Sequence, residues 1–193
     1  RRSQVLEAAR AWIARSGFRG ASMQEICAEA RMSPGALYRY FPSKAAIVEQ
    51  LIAYDLHELE DEFATALSSP DPLVALRHKV RLRVEQHQSC KDGQLWAEIT
   101  AAALRKPEIG LACQHMEATI AAYLMQVFAS ITGLALDQVQ HRFSAHAAFI
   151  VLLVKSATMM APQENQARAD LNALILRTID QTLEDVASAR VKG

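Results

Sequence analysis

Two prolines eight residues apart, Pro34 and Pro42, bracket the stretch that most constrains what this chain can fold into. Ser33 can accept a hydrogen bond from the free N–H groups at a helix start, and Pro34 at the first helical position fixes φ without losing a needed donor. Pro42 disfavours helical geometry in Phe41, and Ser43 can cap a following helix. The helix between them is therefore held to about two turns, too short to be stable alone. Leu37 and Phe41, four apart, can face inward, whereas Tyr38, Arg39 and Tyr40 fan outward. The element displays hydroxyls and a guanidinium rather than burying them.

Just upstream, Ser22-Met23-Gln24-Glu25 has the form of a capping box, and Met23, Ile26, Cys27 and Ala30 make one apolar stripe. Arg31 and Met32 then leave a turn of three or four residues between two short helices, the spacing of a helix-turn-helix whose second helix enters the major groove. The run from Gly17 to Lys44 resembles the DNA-binding motif of the TetR/AcrR family of bacterial transcriptional regulators. Most of that resemblance is carried by Ser33, Gly35, Leu37, Tyr38, Tyr40, Phe41, Ser43 and Lys44 in their order and spacing. The family usually has Gly at the turn where this chain has Arg31, and a left-handed residue there costs about 1 kcal/mol without glycine.

Formal net charge is zero, but residues 1–49 hold 8 Lys/Arg against 4 Asp/Glu, and residues 50–193 hold 13 against 17. A basic end on an acidic body is the footprint expected when one end meets phosphate. Apolar residues at 51% suit a globular core. Cys27, Cys90 and Cys113 have no C-x-x-C spacing and read as reduced, buried thiols of a cytoplasmic protein. The longest uninterrupted apolar run, Ala147 to Val154, is too short to span a bilayer, so no membrane partner is expected. The start, Arg1-Arg2-Ser-Gln, has no apolar signal core, and the absence of an initiator Met leaves room for a short arm ahead of it.

Apolar residues at three-and-four spacing, punctuated by Gly17, Asp71-Pro72, Gly93, Pro107, Gly133 and Pro162, predict about nine helices and no strand. The fold class is all-α. A three-helix head with a homeodomain-like helix-turn-helix (1–46) joins through a fourth helix to a larger helical body (47–193), the architecture that the resemblance also implies.

In the head, Arg39 can make the bidentate contact to guanine O6 and N7. Ser33, Pro34, Gly35 and Ala36 form the leading end, where small side chains allow close approach and a methyl contact to thymine. The resemblance places Gln24 near a base, and Tyr38, Tyr40 and Lys44 near phosphate. In the body, the eighth helix is apolar almost all round from Ala145 to Val154 and must be covered on more than one side. Val139, Phe143, Ile150, Leu153 and Ala157, with Leu171, Leu174, Ile175, Thr178 and Leu183 of the ninth, suit a four-helix bundle made by two copies. The alternative is that one face packs on the sixth and seventh helices. The resemblance implies that a small effector is taken up in the volume among helices four to eight. The candidates here are Phe63, His87, Trp96, Thr100, Met116, Tyr123 and Phe149, although aromatics and methionines at helical spacing are more often ordinary packing. An apolar or aromatic effector is expected.

No metal and no cofactor is expected. His57 and Asp61 lie on a solvated face, His141 and His146 are badly spaced for one helical face, and no H-E-x-x-H, G-x-S-x-G or glycine-rich phosphate loop occurs. The expected function is a dimeric regulator, most simply a repressor, that binds a palindromic double-stranded operator and is released by its effector. The rivals are a protein-interaction module whose helix-turn-helix no longer reads DNA, and an all-α enzyme with a regulatory head.

Overall fold

The computed structural model describes residues 2–86, 92–160 and 165–190. His87 and Cys90 lie outside them. The described residues form nine α-helices and no strand: α1 Arg2–Gly20, α2 Met23–Glu29, α3 Pro34–Tyr40, α4 Lys44–Leu67, α5 Pro72–Gln86, α6 Asp92–Ala103, α7 Pro107–Thr132, α8 Leu136–Met159 and α9 Gln166–Ala187. No single helix among them is long and apolar enough to cross a membrane.

The boundaries follow local chemistry. Asp71 Oδ1 accepts from Val74 N at 3.1 Å ahead of Pro72, and Asn165 Oδ1 accepts from Arg168 N at 2.9 Å, each capping a helix start. Gly133, at φ 74, ends α7 by donating its N–H to Ala129 O at 2.9 Å, in a 5→1 cap. Gly17 breaks α1 internally with φ 72 and ψ 165, a region that glycine alone occupies without strain.

The helices group into two compact units, one within Arg1–Leu56 and Cys90–Met116, the other within His57–Ser89 and Glu117–Gly193. In the first, α6 packs along α1, α1 meets α2, and Arg10 pairs with Asp55 of α4. Val5, Ile13, Ile26, Leu37, Ile47 and Ile99 are fully buried there. In the second, α5, α8 and α9 pack on one another, and the core runs through Leu76, Phe128, Val139, Ile150, Leu183 and Val186. Phe128 and Phe143 meet edge to face with centroids 6.5 Å apart.

This second core changes the sequence reading of the two-copy bundle. Val139, Phe143, Ile150, Ala157 and Leu183 are all buried within one chain, so they have no surface left for a second copy. Leu153, Leu171, Ile175 and Thr178 are half-buried, and Leu174 is 48% exposed. The exposed apolar stripe on α8 is instead Ala145, Ala148, Phe149 and Leu152.

Candidate nucleic-acid interface

The interface is built from the end of α1 to the start of α4. In α2, the Ser22 hydroxyl donates to Glu25 Oε2 at 2.7 Å and accepts from Glu25 N at 3.2 Å, while Ser22 N donates to the same carboxylate at 2.9 Å. This is the full capping box, and its hydrogen bonds, the side-chain one first, hold the Glu25 carboxyl below its ordinary value. Arg31 then takes φ 51, the one positive φ at a non-glycine among the described residues. Its N–H donates to Ala28 O at 3.1 Å, and Met32 N donates to Cys27 O at 3.0 Å. The pair is a Schellman closure with arginine at the left-handed position. Cys27 Sγ adds a bond to Met32 O at 2.7 Å, which locks the turn that aims α3.

Helix α3 opens on Ser33, whose Oγ accepts from Ala36 N at 3.4 Å, and closes at Phe41, whose N–H reaches Leu37 O at 2.9 Å. Leu37 is fully buried and Phe41 is 2% exposed. Burying each is worth about 1.5–3 kcal/mol, enough to offset the nucleation cost of so short a helix. Anchored on that side, α3 leaves Pro34, Gly35, Tyr38, Arg39 and Tyr40 at the surface, with Ala36 half-buried beneath them. Tyr38 is 51% and Tyr40 38% exposed. Among the described residues the Arg39 guanidinium has no hydrogen-bond or ion-pair partner. Gln24, on α2, is likewise exposed.

Lys44 is the member of the set with a different task. Its ammonium donates to Phe18 O, to Ala21 O at 2.5 Å and to Arg19 O at 3.5 Å, and lies 4.5 Å from the Phe18 ring centroid. All three of its donors are used inside the head. Burial first, and then the repulsion of Lys106, lower its pKa, against the opposing pull of Glu25.

The effector candidates fall into both units. Trp96 and Thr100 are half-buried and Met116 is buried in the first; Phe63 and Tyr123 are half-buried in the second, with rings 5.4 Å apart. Burial chiefly, with the Glu60 carboxylate beside it, raises the Tyr123 hydroxyl above its ordinary value. Phe149 is 40% exposed on α8. Among the described residues no group of three or more His, Cys, Asp or Glu is placed to hold a metal ion.

Head and turn together define a helix-turn-helix module that offers an exposed, basic and hydroxyl-bearing short helix. Residues 5–51 match the family described as bacterial regulatory proteins, tetR family. The chain is 30% identical over 130 residues to the HTH-type transcriptional regulator UidR of Escherichia coli K12. That match takes in 65% of this chain and 63% of UidR, so the chain spans less than two thirds of the length of this curated relative. Among solved structures, Salmonella enterica GusR superposes with a TM-score of 0.75 at 23% identity, over 97% of this chain and 95% of that one. The regulator FadR of Bacillus subtilis, in complex with stearoyl-CoA, superposes with a TM-score of 0.58 at 17% identity, over 99% and 100%.

Proposed function

We propose that this protein is a ligand-responsive transcriptional regulator that binds a palindromic DNA operator as a homodimer and acts as a repressor. The observation that carries the reading is α3: buried Leu37 and Phe41 hold it while Arg39, without a partner among the described residues, stands between two exposed tyrosines. An exposed guanidinium on a helix of this kind suits the paired acceptors of guanine in the major groove. Tyr38 and Tyr40 suit phosphate oxygens, which position the helix without reading sequence.

In this reading residues 1–46 contact DNA and residues 47–193 take up the effector and join the two copies. A two-fold operator with half-sites about 34–36 Å apart requires two heads, and the stripe of Ala145, Phe149 and Leu152 with Leu174 of α9 gives a second copy an apolar face to cover. A ligand-bearing relative supports an effector for this chain, and the Phe63–Tyr123 pair suits an apolar or aromatic one. Whatever affinity the effector removes from DNA binding, DNA removes from effector binding by the same factor. The regulatory reading needs no catalytic step.

Selection of genomic fragments by purified protein, followed by binding to the recovered fragment at several salt concentrations, tests the proposal. A palindrome bound with a steep salt dependence supports it. No enriched fragment, together with binding that ignores salt, rejects it in favour of a protein-interaction role.

A further inference from the structure

Phe18 is held at both ends by charges from two other helices. At Gly17 the chain leaves the helical path, and the Phe18 N–H donates instead to Glu98 Oε2 of α6 at 3.0 Å. A Cβ at position 17 would stand 2.9 Å from that oxygen and 3.2 Å from Cδ, so the carboxylate reaches the backbone because residue 17 has no side chain. On the other side of the same residue, Lys44 at the start of α4 holds the Phe18 carbonyl, and its ammonium lies over the Phe18 ring. Phe18 as a whole is 8% exposed. Ala21, fully buried, donates back to Gly17 O at 3.0 Å, and the next residue, Ser22, is the cap of α2. The Glu98 carboxylate, the Lys44 ammonium and the Ala21–Gly17 bond therefore meet at the corner that leads into α2. One of them, Glu98, comes from 80 residues along the chain.

We infer that Glu98 is a positioning residue for DNA binding: through the Phe18 N–H it fixes the corner between α1 and α2, and so the presentation of α3. It touches no DNA itself. The corner is rigid because one peptide neighbourhood is bonded to a carboxylate at its donor and to an ammonium at its acceptors, and charge-assisted bonds of this kind are about twice as strong as neutral ones. A change in the seating of α6 along α1 acts on that donor directly.

The inference rests on the DNA-binding reading, and the test separates the two. Glu98→Ala and Glu98→Gln are compared with wild type for three quantities: exchange of the Phe18 amide, affinity for the fragment recovered by wild-type selection, and affinity for a scrambled duplex of equal length. Loss of one charge-assisted bond predicts that Glu98→Ala speeds Phe18 exchange and lowers the ratio of specific to non-specific affinity, each by about tenfold. Glu98→Gln, which keeps an oxygen acceptor in place but not its charge, falls between wild type and Glu98→Ala in the ratio. A purely structural role lowers the active fraction and so reduces both affinities alike, which leaves the ratio unmoved. An unchanged ratio in Glu98→Ala, or unchanged Phe18 exchange, overturns the inference alone. Absence of DNA binding in the wild type overturns the DNA reading and this inference with it.

Discussion

The Lys44 ammonium donates to Ala21 O at 2.5 Å, which makes the first residue of α4 a clamp on the link between α1 and α2. Lys44→Met keeps the aliphatic stem over the Phe18 ring but removes every donor. Because the site is partly solvated, we expect a loss of about 1 kcal/mol of stability in urea unfolding. The slope of DNA affinity against salt should stay at its wild-type value. A slope lower by about 1 would instead mean that Lys44 leaves the corner to neutralise a phosphate.

Arg39 and Tyr40 are expected to fail in different ways. Arg39→Ala should cost about 1–3 kcal/mol of discrimination at one base pair in each half-site. Tyr40→Phe should weaken every sequence alike. Binding of an operator library with each point substitution separates the two, and an unchanged preference pattern in Arg39→Ala would remove it from base readout.

Gly35 has no role that the fold explains. A Cβ there meets nothing within 4 Å, and its φ is not positive. Glycine in a helix costs about 0.5–1 kcal/mol relative to alanine. Gly35→Ala should therefore raise the denaturation midpoint while it weakens DNA binding. The opposite signs, read on one protein, mark a residue kept small for the close approach of a partner.

The capping box gives a pH dependence of known sign. Glu25 has its carboxyl lowered from 4.5 in the folded chain, so it takes up its proton more readily when unfolded. Its contribution is fully present above that ordinary value and is lost as pH falls through the lowered folded one. Urea midpoints collected on acidification should fall less steeply for Glu25→Gln than for wild type. Equal slopes would show that the box is not kept in solution.

The apolar stripe on α8 is tested by charge. Leu152 is 58% exposed in the single chain, so Leu152→Glu should fold normally. If the stripe joins two copies, the substitution should halve the mass seen by sedimentation and weaken operator binding. An unchanged mass would place the contact between copies elsewhere.

Much of this architecture can be read from local chemistry because it is local. Ser22 with Glu25, Ser33 with Pro34, and Asp71 with Pro72 announce their helices within four residues. The missing glycine at Arg31 left the geometry of that turn open in the sequence, and the chain takes the left-handed conformation there all the same, at φ 51. The Glu98–Phe18 bond joins residues 80 apart, and nothing near either one marks it, although Gly17 signals that the chain turns there. Lys44 sits where the family binds phosphate, and its identity alone cannot say which oxygens it meets. The seam of α8 was equally hidden. A helix apolar all round has no periodicity from which a covered side can be told from a bare one, so core residues such as Val139 and Ile150 could be mistaken for interface.

The alliance of α6 with α1 also bears on how such a head could be moved between proteins. A fragment ending at Leu56 would leave α1 without the helix that lies along it and Phe18 without its acceptor. The head is therefore not a contiguous cassette. A chimera meant to keep this recognition helix on a foreign body would have to carry α6 and Glu98 with it, or rebuild that seam on the new partner.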